Sequence, residues 1–344
     1  MALCINCFVQ NELKIEVAID LTKIKINLAS ARETLAKIGK SKAEICLMLK
    51  ADAYGHGLEE VAKSTAECVD GFGAMTLNEA VRIRKIAPKI PILVNMLTQN
   101  EIEEAVENGL TIGLSNDEQL DAVKRYAYLN PKLHLAVDSG MHRFGFDVSR
   151  AGQIARELKE CGLELCGVYS HFGDHAERQT ERFEIACKSV REVFGQAKRH
   201  IASSHTFQNP ACVFDGVRIG LEVYKGAMTV KSQVIATRKV EAGEYVGYGD
   251  HITQKPTNIA VVFGGYADGV QRNYPFVKWQ GKRFEVICVC MDAVIVNTKD
   301  ECLKIGDEVT FLDGETADKI AEKMHTIPYT LMTAWKGRIN KIYV

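Results

Sequence analysis

The sequence lacks a long apolar run, an export signal and an excess of charge of either sign. No apolar stretch approaches the roughly 18 residues that cross a bilayer, and the opening MALCINCFVQNELK has neither a basic start nor a continuous apolar core. Lysine and arginine together number 43, against 44 for aspartate and glutamate. This balance does not favour nucleic acid or an anionic membrane as the partner. We therefore expect a cytoplasmic protein that binds a small molecule or another protein.

The eleven cysteines do not indicate a disulfide framework. Their number is odd, and they are scattered along a long chain without a secretory signal, which favours reduced thiols. Cys4 and Cys7 form a C-x-x-C motif, but no second cysteine pair or nearby histidine completes a zinc site. Cys288 and Cys290 stand two apart in a strand-like run. Both are therefore expected on one face of a strand, as small buried apolar residues.

The middle of the chain alternates between short apolar segments and stretches with helical periodicity, of which 59–69, 100–109, 116–129 and 178–199 are examples. Eight apolar segments begin between residues 44 and 217, so seven steps average about 25 residues, which is typical of eight βα units. We predict an α/β fold with a (β/α)8 TIM-type barrel, and a doubly wound sheet is the alternative. The predicted strands are 44–50, 72–75, 90–95, 110–115, 133–138, 165–171, 200–204 and 217–221.

The pattern changes after about residue 228 to short strands separated by glycine and polar turns, which predicts a smaller, mostly-β C-terminal domain. Residues 1–14 are predicted to be an N-terminal segment of that β domain, 15–228 the barrel and 229–344 the C-terminal domain. Residues 12–20 alternate and are a candidate strand of the β domain. The other predicted β segments are 229–240, 258–267, 284–297, 308–312 and 338–344.

Polar residues gather where the barrel strands end, and those ends meet at one mouth of the barrel. Lys50 follows the first strand, and a lysine there is either a side chain that reaches solvent at the rim or a chemically used amine. The surrounding residues favour the second interpretation, an amine that takes part in the chemistry. An amine, the hydroxyls of Tyr54 and Ser204, backbone N–H groups near Gly220 and the cation of Arg218 suit an aldehyde cofactor that carries a phosphate. Pyridoxal phosphate is that cofactor.

Five motifs carry a resemblance to a known family: KADAYGHG at 50–57, SGMHRFGF at 139–146, FDGVRIG at 214–220, GYADG at 265–269 and CMDAV at 290–294. Taken in this order, they resemble the motif set of the alanine racemases. The resemblance implies a homodimer of an α/β barrel and a β domain, with pyridoxal phosphate covalently held. It further implies an isomerase that interconverts L- and D-alanine and so supplies D-alanine.

The resemblance also implies roles for individual residues. Lys50 would hold the cofactor covalently, and Tyr266 and the Met291 backbone would enter the site from the other subunit. His171 is expected beside the cofactor. The remaining implied ligands are Tyr54, Ser204, Gly220 and Leu221 for the phosphate, and Arg218 for the pyridine nitrogen.

Racemisation requires two bases, because a proton leaves one face of the α-carbon and another returns to the opposite face. Lys50 and Tyr266 are the candidates. A free phenol ionises only near pH 10, so its base form requires nearby donors or positive charge, for which His171 and Arg218 are candidates. Arginine keeps its proton, so Arg218 would leave the pyridine nitrogen unprotonated and weaken the ring as an electron sink.

Arg143 is expected to bind the substrate carboxylate through two parallel hydrogen bonds. From the residues alone, Arg143 could equally form a structural ion pair at the end of a strand. His171 and His175 are four apart, a spacing that on a helix can ligate a metal. Their segment reads as a loop, so a hydrogen-bonding histidine is preferred and no metal is predicted.

Two residues depart from the family pattern. Ala136 stands where many members have a carbamylated lysine that orients the carboxylate-binding arginine, so an ion or another side chain must hold Arg143. Gly337 stands where members usually have a tyrosine that narrows the substrate pocket. A larger substrate such as serine, or a slower enzyme, therefore remains an alternative. A decarboxylase and a cofactor-binding protein without turnover are the two other classes considered.

Overall fold

A computed structural model describes residues 13–173, 175–249 and 251–344. Residue contacts divide the chain into two compact units, which we call the barrel unit, Leu21–Lys225, and the β unit, 13–20 with Gly226–Val344. The boundaries predicted after residues 14 and 228 stay predictions. The first strand, β1 (Ile15–Ile19), pairs with strands of the β unit, as expected for the candidate strand 12–20, although residue 15 was also predicted to begin the barrel. The Cys4–Cys7 motif and most of the predicted N-terminal segment lie outside the described residues.

The barrel unit is a closed ring of eight parallel strands, as the sequence predicts. The pairing of β5 with β6 closes the ring, and a short strand, β7, is added beside β6. The strands are buried almost throughout, as expected when helices cover the outside of a parallel sheet. They are β2 (Glu44–Met48), β3 (Gly71–Ala74), β4 (Ile92–Val94), β5 (Thr111–Leu114), β6 (Lys132–Asp138), β7 (Phe146–Asp147), β8 (Leu165–Tyr169), β9 (Lys198–His200) and β10 (Gly216–Ile219).

The helices of this unit bury one apolar face each. In the seventh helix the residues at positions 151, 154, 155 and 158 are all buried, the spacing of one face of an α-helix. The helices are α1 (Leu21–Lys37), α2 (Lys50–Tyr54), α3 (Leu58–Thr65), α4 (Leu77–Ile86), α5 (Ile102–Glu107), α6 (Asp117–Arg125), α7 (Ala151–Glu160), α8 (Ala176–Arg191) and α9 (Leu221–Tyr224).

Seven of the eight barrel strands end earlier than predicted, and at β2 and β9 the difference concerns predicted site residues. β2 ends at Met48, so Lys50 lies in the turn that follows and not on the strand. β9 ends at His200, whereas 200–204 was predicted as strand. The chain turns there because Thr206 bonds back to Ser203 through both its backbone N–H and its hydroxyl. The apolar run therefore indicated β2 but not its end, and the run predicted for β9 shares only His200 with the strand.

The β unit contains one eight-stranded sheet, antiparallel except for the pairing of β1 with β17. Its order is β12-β15-β14-β13-β16-β11-β1-β17, and β12 also pairs with β11. The remaining elements are β11 (Met228–Val240), β12 (Thr257–Phe263), β13 (Phe276–Trp279), β14 (Lys282–Val289), β15 (Ala293–Lys299), β16 (Glu308–Leu312), β17 (Ile339–Tyr343), α10 (Ala317–Lys323) and α11 (Pro328–Met332).

The predicted strand 284–297 is two strands, β14 and β15, because the chain reverses where the N–H of Cys290 donates to the carbonyl of Ala293 at 2.8 Å. Cys288 and Cys290 do lie on one side, with their sulfurs 3.9 Å apart, but both are half-buried and not buried as expected. β14 is paired on both sides, with β13 and β15, so solvent reaches these two cysteines at one face of the sheet and not at an edge. Within the described part of the chain, no helix is long and apolar enough to span a membrane.

Candidate active site

The segment that follows β2 forms a single left-handed turn, α2. Residues 51–54 have φ between 52° and 56°, a region that costs roughly 1–2 kcal/mol for each residue other than glycine. A carboxylate oxygen of Glu79 accepts a hydrogen bond from the N–H of Ala51 at 2.8 Å and so supports the turn. Strain of this kind is typical of functional sites. Here it occurs in the turn that begins with Lys50.

Glu79 links this turn to the start of α4. Its second oxygen accepts the N–H of Met75 at 2.9 Å, and Glu79 also forms a capping box with Thr76. The sequence analysis did not identify Glu79. The T-x-x-E spacing at 76–79 is the signature of a capping box and is the signal that could have indicated it.

The amine of Lys50 lies in a partly buried, positively charged environment. Burial lowers the pKa of Lys50, and the nearby cations of Arg143 and Arg218 lower it further, while Glu79 acts in the opposite direction. The nitrogen lies 5.8 Å from the centre of the Tyr54 ring. An amine whose pKa is lowered is more often neutral, the form that attacks an aldehyde.

A cradle of small polar groups lies beside Tyr54. The hydroxyl oxygen of Ser204 accepts the N–H of Gly220 at 3.0 Å and that of Glu222 at 3.4 Å. A Cβ at Gly220 would collide with the hydroxyl of Tyr54, so only glycine permits this approach. Leu221 follows directly and begins α9. Two hydroxyl groups and backbone N–H groups thus converge in a space of the kind that holds phosphate.

Arg218 is almost fully buried on β10. One guanidinium nitrogen, Nη1, donates to Nδ1 of His200 at 2.7 Å and to the carbonyl of His200 at 2.9 Å, and Nη2 donates to the carbonyl of Ser170. Among the described residues no carboxylate pairs with Arg218. The guanidinium also lies over the ring of Tyr169, at 5.1 Å. A buried cation without an anion is costly and calls for a ligand that accepts hydrogen bonds.

His171 lies in the loop after β8, near the same cations. Burial lowers the pKa of His171 to about 3, and Arg218, Arg143 and Lys50 contribute to the lowering. The imidazole is therefore neutral at physiological pH. Gln179 of α8 holds this loop, because its amide donates to the carbonyl of His171 at 3.1 Å and its oxygen accepts the N–H of Gly173 at 2.7 Å.

Arg143 is exposed at the tip of the loop between β6 and β7. Asp138, at the end of β6, shapes that loop by accepting the N–H groups of Gly140 at 2.9 Å and His142 at 3.0 Å. The guanidinium of Arg143 lies 5.1 Å from the centre of the Phe144 ring. Within the described ranges it forms no ion pair with a carboxylate. Asp138 thus shapes the loop that carries Arg143, whereas the methyl group of Ala136 offers the guanidinium no polar partner.

Tyr266 and Met291 are neighbours in the β unit, and both side chains are about half exposed. The N–H of Tyr266 donates to the carbonyl of Cys290 at 3.0 Å, and the N–H of Ala267 donates to that of Met291 at 3.2 Å. A Cβ at Gly265 would collide with the carbonyls of Cys290 and Met291. The glycine therefore lets the two backbone segments lie side by side.

Asp268 holds the same loop from beneath. Its side chain is buried, accepts the N–H of Gly265 at 3.0 Å and forms a two-fold ion pair with Arg338 at 2.9 and 2.7 Å. Arg338 also reaches Asp292 at 2.8 Å. Sequence reasoning quoted the GYADG motif without assigning its aspartate. The residue before the arginine, Gly337, has φ of +76°, which a tyrosine would adopt only with strain.

The barrel unit therefore brings together all the residues that the sequence assigns to it: Lys50, Tyr54, Arg143, His171, Ser204, Arg218, Gly220 and Leu221. Tyr266 and Met291 adjoin each other in the β unit. The residues that sequence reasoning missed, including Glu79, Asp138 and Asp268, act through backbone hydrogen bonds. No group of three or more metal-binding side chains occurs in the residues for which the structure accounts.

Comparison with known proteins places the whole chain in one family. Residues 19–227 match the model of the alanine racemase N-terminal domain, and residues 227–343 match that of the C-terminal domain. An alanine racemase of Carboxydothermus hydrogenoformans is 32% identical, over 93% of this chain and 98% of the relative. One of Thermodesulfovibrio yellowstonii is 31% identical, over 98% of both chains.

Solved structures of alanine racemases have the same fold as this chain. The alanine racemase of Streptomyces lavendulae has a TM-score of 0.89 at 26% identity, over 96% of this chain and 97% of its own. That of Bartonella henselae, described with covalently bound pyridoxal phosphate, has the same fold, with a TM-score of 0.87 at 22% identity over 96% of this chain and 99% of its own. The chain belongs to the alanine racemase family and is a racemase, an enzyme of the isomerase class.

Proposed function

We propose that this protein interconverts L- and D-alanine with pyridoxal phosphate attached to Lys50, and with Lys50 and Tyr266 as the two bases. The observation that carries the proposal is the Lys50 amine, whose pKa is lowered beside Arg218, a buried cation with no carboxylate partner in the described residues. A structural lysine at a barrel rim would instead be paired or solvated.

The residues fit this cofactor. A lysine with a lowered pKa suits the aldehyde, and Arg218 suits an acceptor nitrogen of the pyridine ring. The hydroxyls of Tyr54 and Ser204 and the backbone around Gly220 and Leu221 suit the phosphate, because the Ser204 hydroxyl proton stays available while its oxygen accepts the N–H of Gly220. When bound, pyridoxal phosphate withdraws electrons from the α-carbon of the amino acid and makes its proton easier to remove.

Lys50 and Tyr266 remove the proton of the α-carbon and replace it, one residue on each face. Each takes a proton from one face of the α-carbon or returns one to it, so the direction of the reaction decides which acts as base and which as acid. Burial and the adjacent cations favour the neutral, basic form of Lys50. Tyr266 is held through its backbone, which leaves the phenol free to meet the opposite face.

Arg218 and His171 control the charge around the cofactor. Arg218 keeps its proton, since guanidinium groups do so even where burial lowers the pKa of arginine, as it does here. It therefore donates to the ring nitrogen without protonating it and limits how far charge spreads into the ring. His171, held neutral by burial, can orient a hydroxyl group without adding charge.

Arg143 binds the carboxylate of the amino acid. Its guanidinium is accessible, is free of carboxylate partners in the described ranges and offers the planar fork that matches a carboxylate. Asp138 keeps the loop that carries Arg143 in shape by accepting the N–H groups of Gly140 and His142.

We also propose a homodimer with shared active sites. Tyr266 and Met291 present about half of their surfaces to solvent in one chain, which is unusual for a catalytic pair and is consistent with their entering a partner's site. The cytoplasmic location stays a prediction.

Gly337 favours a second candidate, a racemase that also accepts amino acids larger than alanine. The residue has no side chain, and a Cβ there would come within 3.2 Å of the carbonyl of Ala267. The space that a tyrosine ring fills in most family members is therefore left open at this position.

The test is to load the purified protein with pyridoxal phosphate and supply L-alanine, L-serine and L-lysine separately. We expect a yellow protein that forms the D-enantiomer of alanine fastest. Faster racemisation of serine would support the second candidate. Release of carbon dioxide would indicate a decarboxylase, and a yellow protein without turnover a binding protein; either result would overturn the proposal.

A further inference from the structure

The barrel unit contains a cavity of about 640 Å³ that the proposed reaction does not use. It lies at the N-terminal end of the strands, since its lining includes the first residues of β2, β3, β5, β6, β9 and β10. Catalytic groups of such barrels collect at the opposite end, and the N-terminal end serves stability. A cavity of this size falls in the range of small-molecule sites and calls for an explanation.

The cavity exists because short side chains stand where barrels of this type are filled by bulky ones. Glycines begin β3 and β10, a threonine begins β5, and Cys46 and Cys166 face the space. Burial raises the pKa of Cys46 to about 12 and that of Cys166 in the same direction. Both thiols therefore remain neutral and behave as small apolar groups.

One polar group in the cavity has a fixed hydrogen-bonding role. Arg218 can only donate, so Nδ1 of His200, at 2.7 Å, must accept, and a neutral His200 then carries its proton on Nε2. That N–H donates to Nδ1 of His134 at 2.9 Å. Burial lowers the pKa of His134 to about 3, so this ring is also neutral and carries its proton on Nε2. Nε2 of His134, which lines the cavity, has no partner among the described residues.

Four carboxylates and five basic side chains line the cavity. Three of its carboxylates are paired: Glu44 with Lys198, Asp70 with Arg32 at 2.5 Å, and Asp215 with Arg199 at 2.8 Å. Neutral thiols and aliphatic groups line the interior. Arg218 is the charged group of the interior, and its guanidinium already donates to His200 and Ser170, so an uncharged ligand fits this lining without giving up the hydration of a charge.

We propose that this cavity is a binding site for an uncharged molecule with an apolar body and one carbonyl oxygen, which accepts the hydrogen bond of His134 Nε2. A ligand that presents only a donor cannot bond to His134, because the chain of hydrogen bonds that starts at Arg218 fixes His134 as a donor too. Arg218 also belongs to the proposed cofactor site, so the test measures binding directly and does not depend on turnover.

The test uses 1-acetylnaphthalene as the probe and 1-ethylnaphthalene, which has the same shape but no acceptor, as its matched control. Calorimetric titration of the cofactor-loaded enzyme is expected to give about 3- to 10-fold tighter binding of the ketone, the contribution of one hydrogen bond. Cys166→Phe fills the cavity and should weaken both compounds by about 10-fold or more. Cys161→Phe, the same change at an exposed cysteine outside the cavity, should leave both unchanged.

A cavity that holds only water would bind neither compound and would overturn the proposal. So would equal affinity for the two compounds, or binding that Cys166→Phe leaves unchanged. A measurement without any variant tests the hydrogen-bonding role directly. In the spectrum of enzyme labelled with ¹⁵N-histidine we expect His134 and His200 as neutral rings protonated on Nε2, and a His134 protonated on Nδ1 would contradict the proposal.

Discussion

The barrel unit and the β unit hold their functional groups by different means. In the barrel unit the groups are buried beside cations, and the pKa values of Lys50, His171 and His134 are lowered. In the β unit Tyr266 is half exposed, and backbone hydrogen bonds and a buried carboxylate below it fix its loop. The barrel unit thus controls the protonation of its functional groups, whereas the β unit controls the position of Tyr266. Substitutions in the two regions should therefore fail in different ways.

The largest effect is expected in the barrel unit. Lys50→Ala removes both the attachment point and one base, so activity should fall by about 10³-fold or more, with loss of the visible absorption of the bound cofactor. Lys63→Ala, at an exposed lysine of α3, is the control and should change neither. Retained yellow colour and activity in Lys50→Ala would show that another residue holds the cofactor.

Tyr266→Phe tests the β unit. It removes one hydroxyl and should lower kcat by roughly 10²- to 10⁴-fold while the cofactor stays bound, because a general acid or base contributes about that factor. Tyr245→Phe, at another exposed tyrosine of the same unit, should be neutral. Unchanged kcat in Tyr266→Phe, measured for both enantiomers, would remove it from the mechanism.

Asp268→Asn should affect stability as well as position. Asn keeps one acceptor oxygen, but the two-fold pair with Arg338 is lost, so the free energy of unfolding should fall by roughly 1–3 kcal/mol. Asp292→Asn, an exposed partner of the same arginine, should cost less than about 1 kcal/mol. Chemical denaturation measures both. Equal losses would show that the burial of Asp268 is unimportant.

The buried histidines predict a dependence of stability on pH. Burial holds the folded pKa of His134 near 3, below its usual 6.5, so below pH 6.5 the unfolded chain binds a proton that the folded chain does not. The free energy of unfolding should therefore fall as the pH drops from 6.5 towards 3, by at most about 1.4 kcal/mol per pH unit for each such residue. His134→Asn should flatten this slope.

The sequence predicts the parts of the fold that depend on regular spacing. Seven of the eight barrel strands were recognised because each is an apolar run at a regular interval, and the motifs supplied the candidate site residues. β9 is Lys-Arg-His and shares only His200 with the predicted strand 200–204. β13 and the helices α10 and α11 were missed, since four to seven residues give too short a pattern. The reversal at Cys290 was missed because its apolar residues continue the run of β14.

Backbone conformation and supporting contacts were harder to predict. Nothing in A-D-A-Y indicates four successive left-handed residues, because none is glycine, and the turn depends on contacts such as that from Glu79, distant in sequence. Asp268 was quoted within a motif, but its burial beneath the Tyr266 loop depends on Arg338, seventy residues away. Long-range partners of this kind leave no local pattern.

The most direct test of the central claim is racemisation of pure L-alanine in deuterium oxide by the cofactor-loaded enzyme. We predict that D-alanine accumulates with deuterium at its α-carbon, and that Tyr266→Phe, still yellow, forms it at least about 10²-fold more slowly. Absence of D-alanine, or D-alanine that keeps its original proton in every turnover, would contradict exchange through two bases.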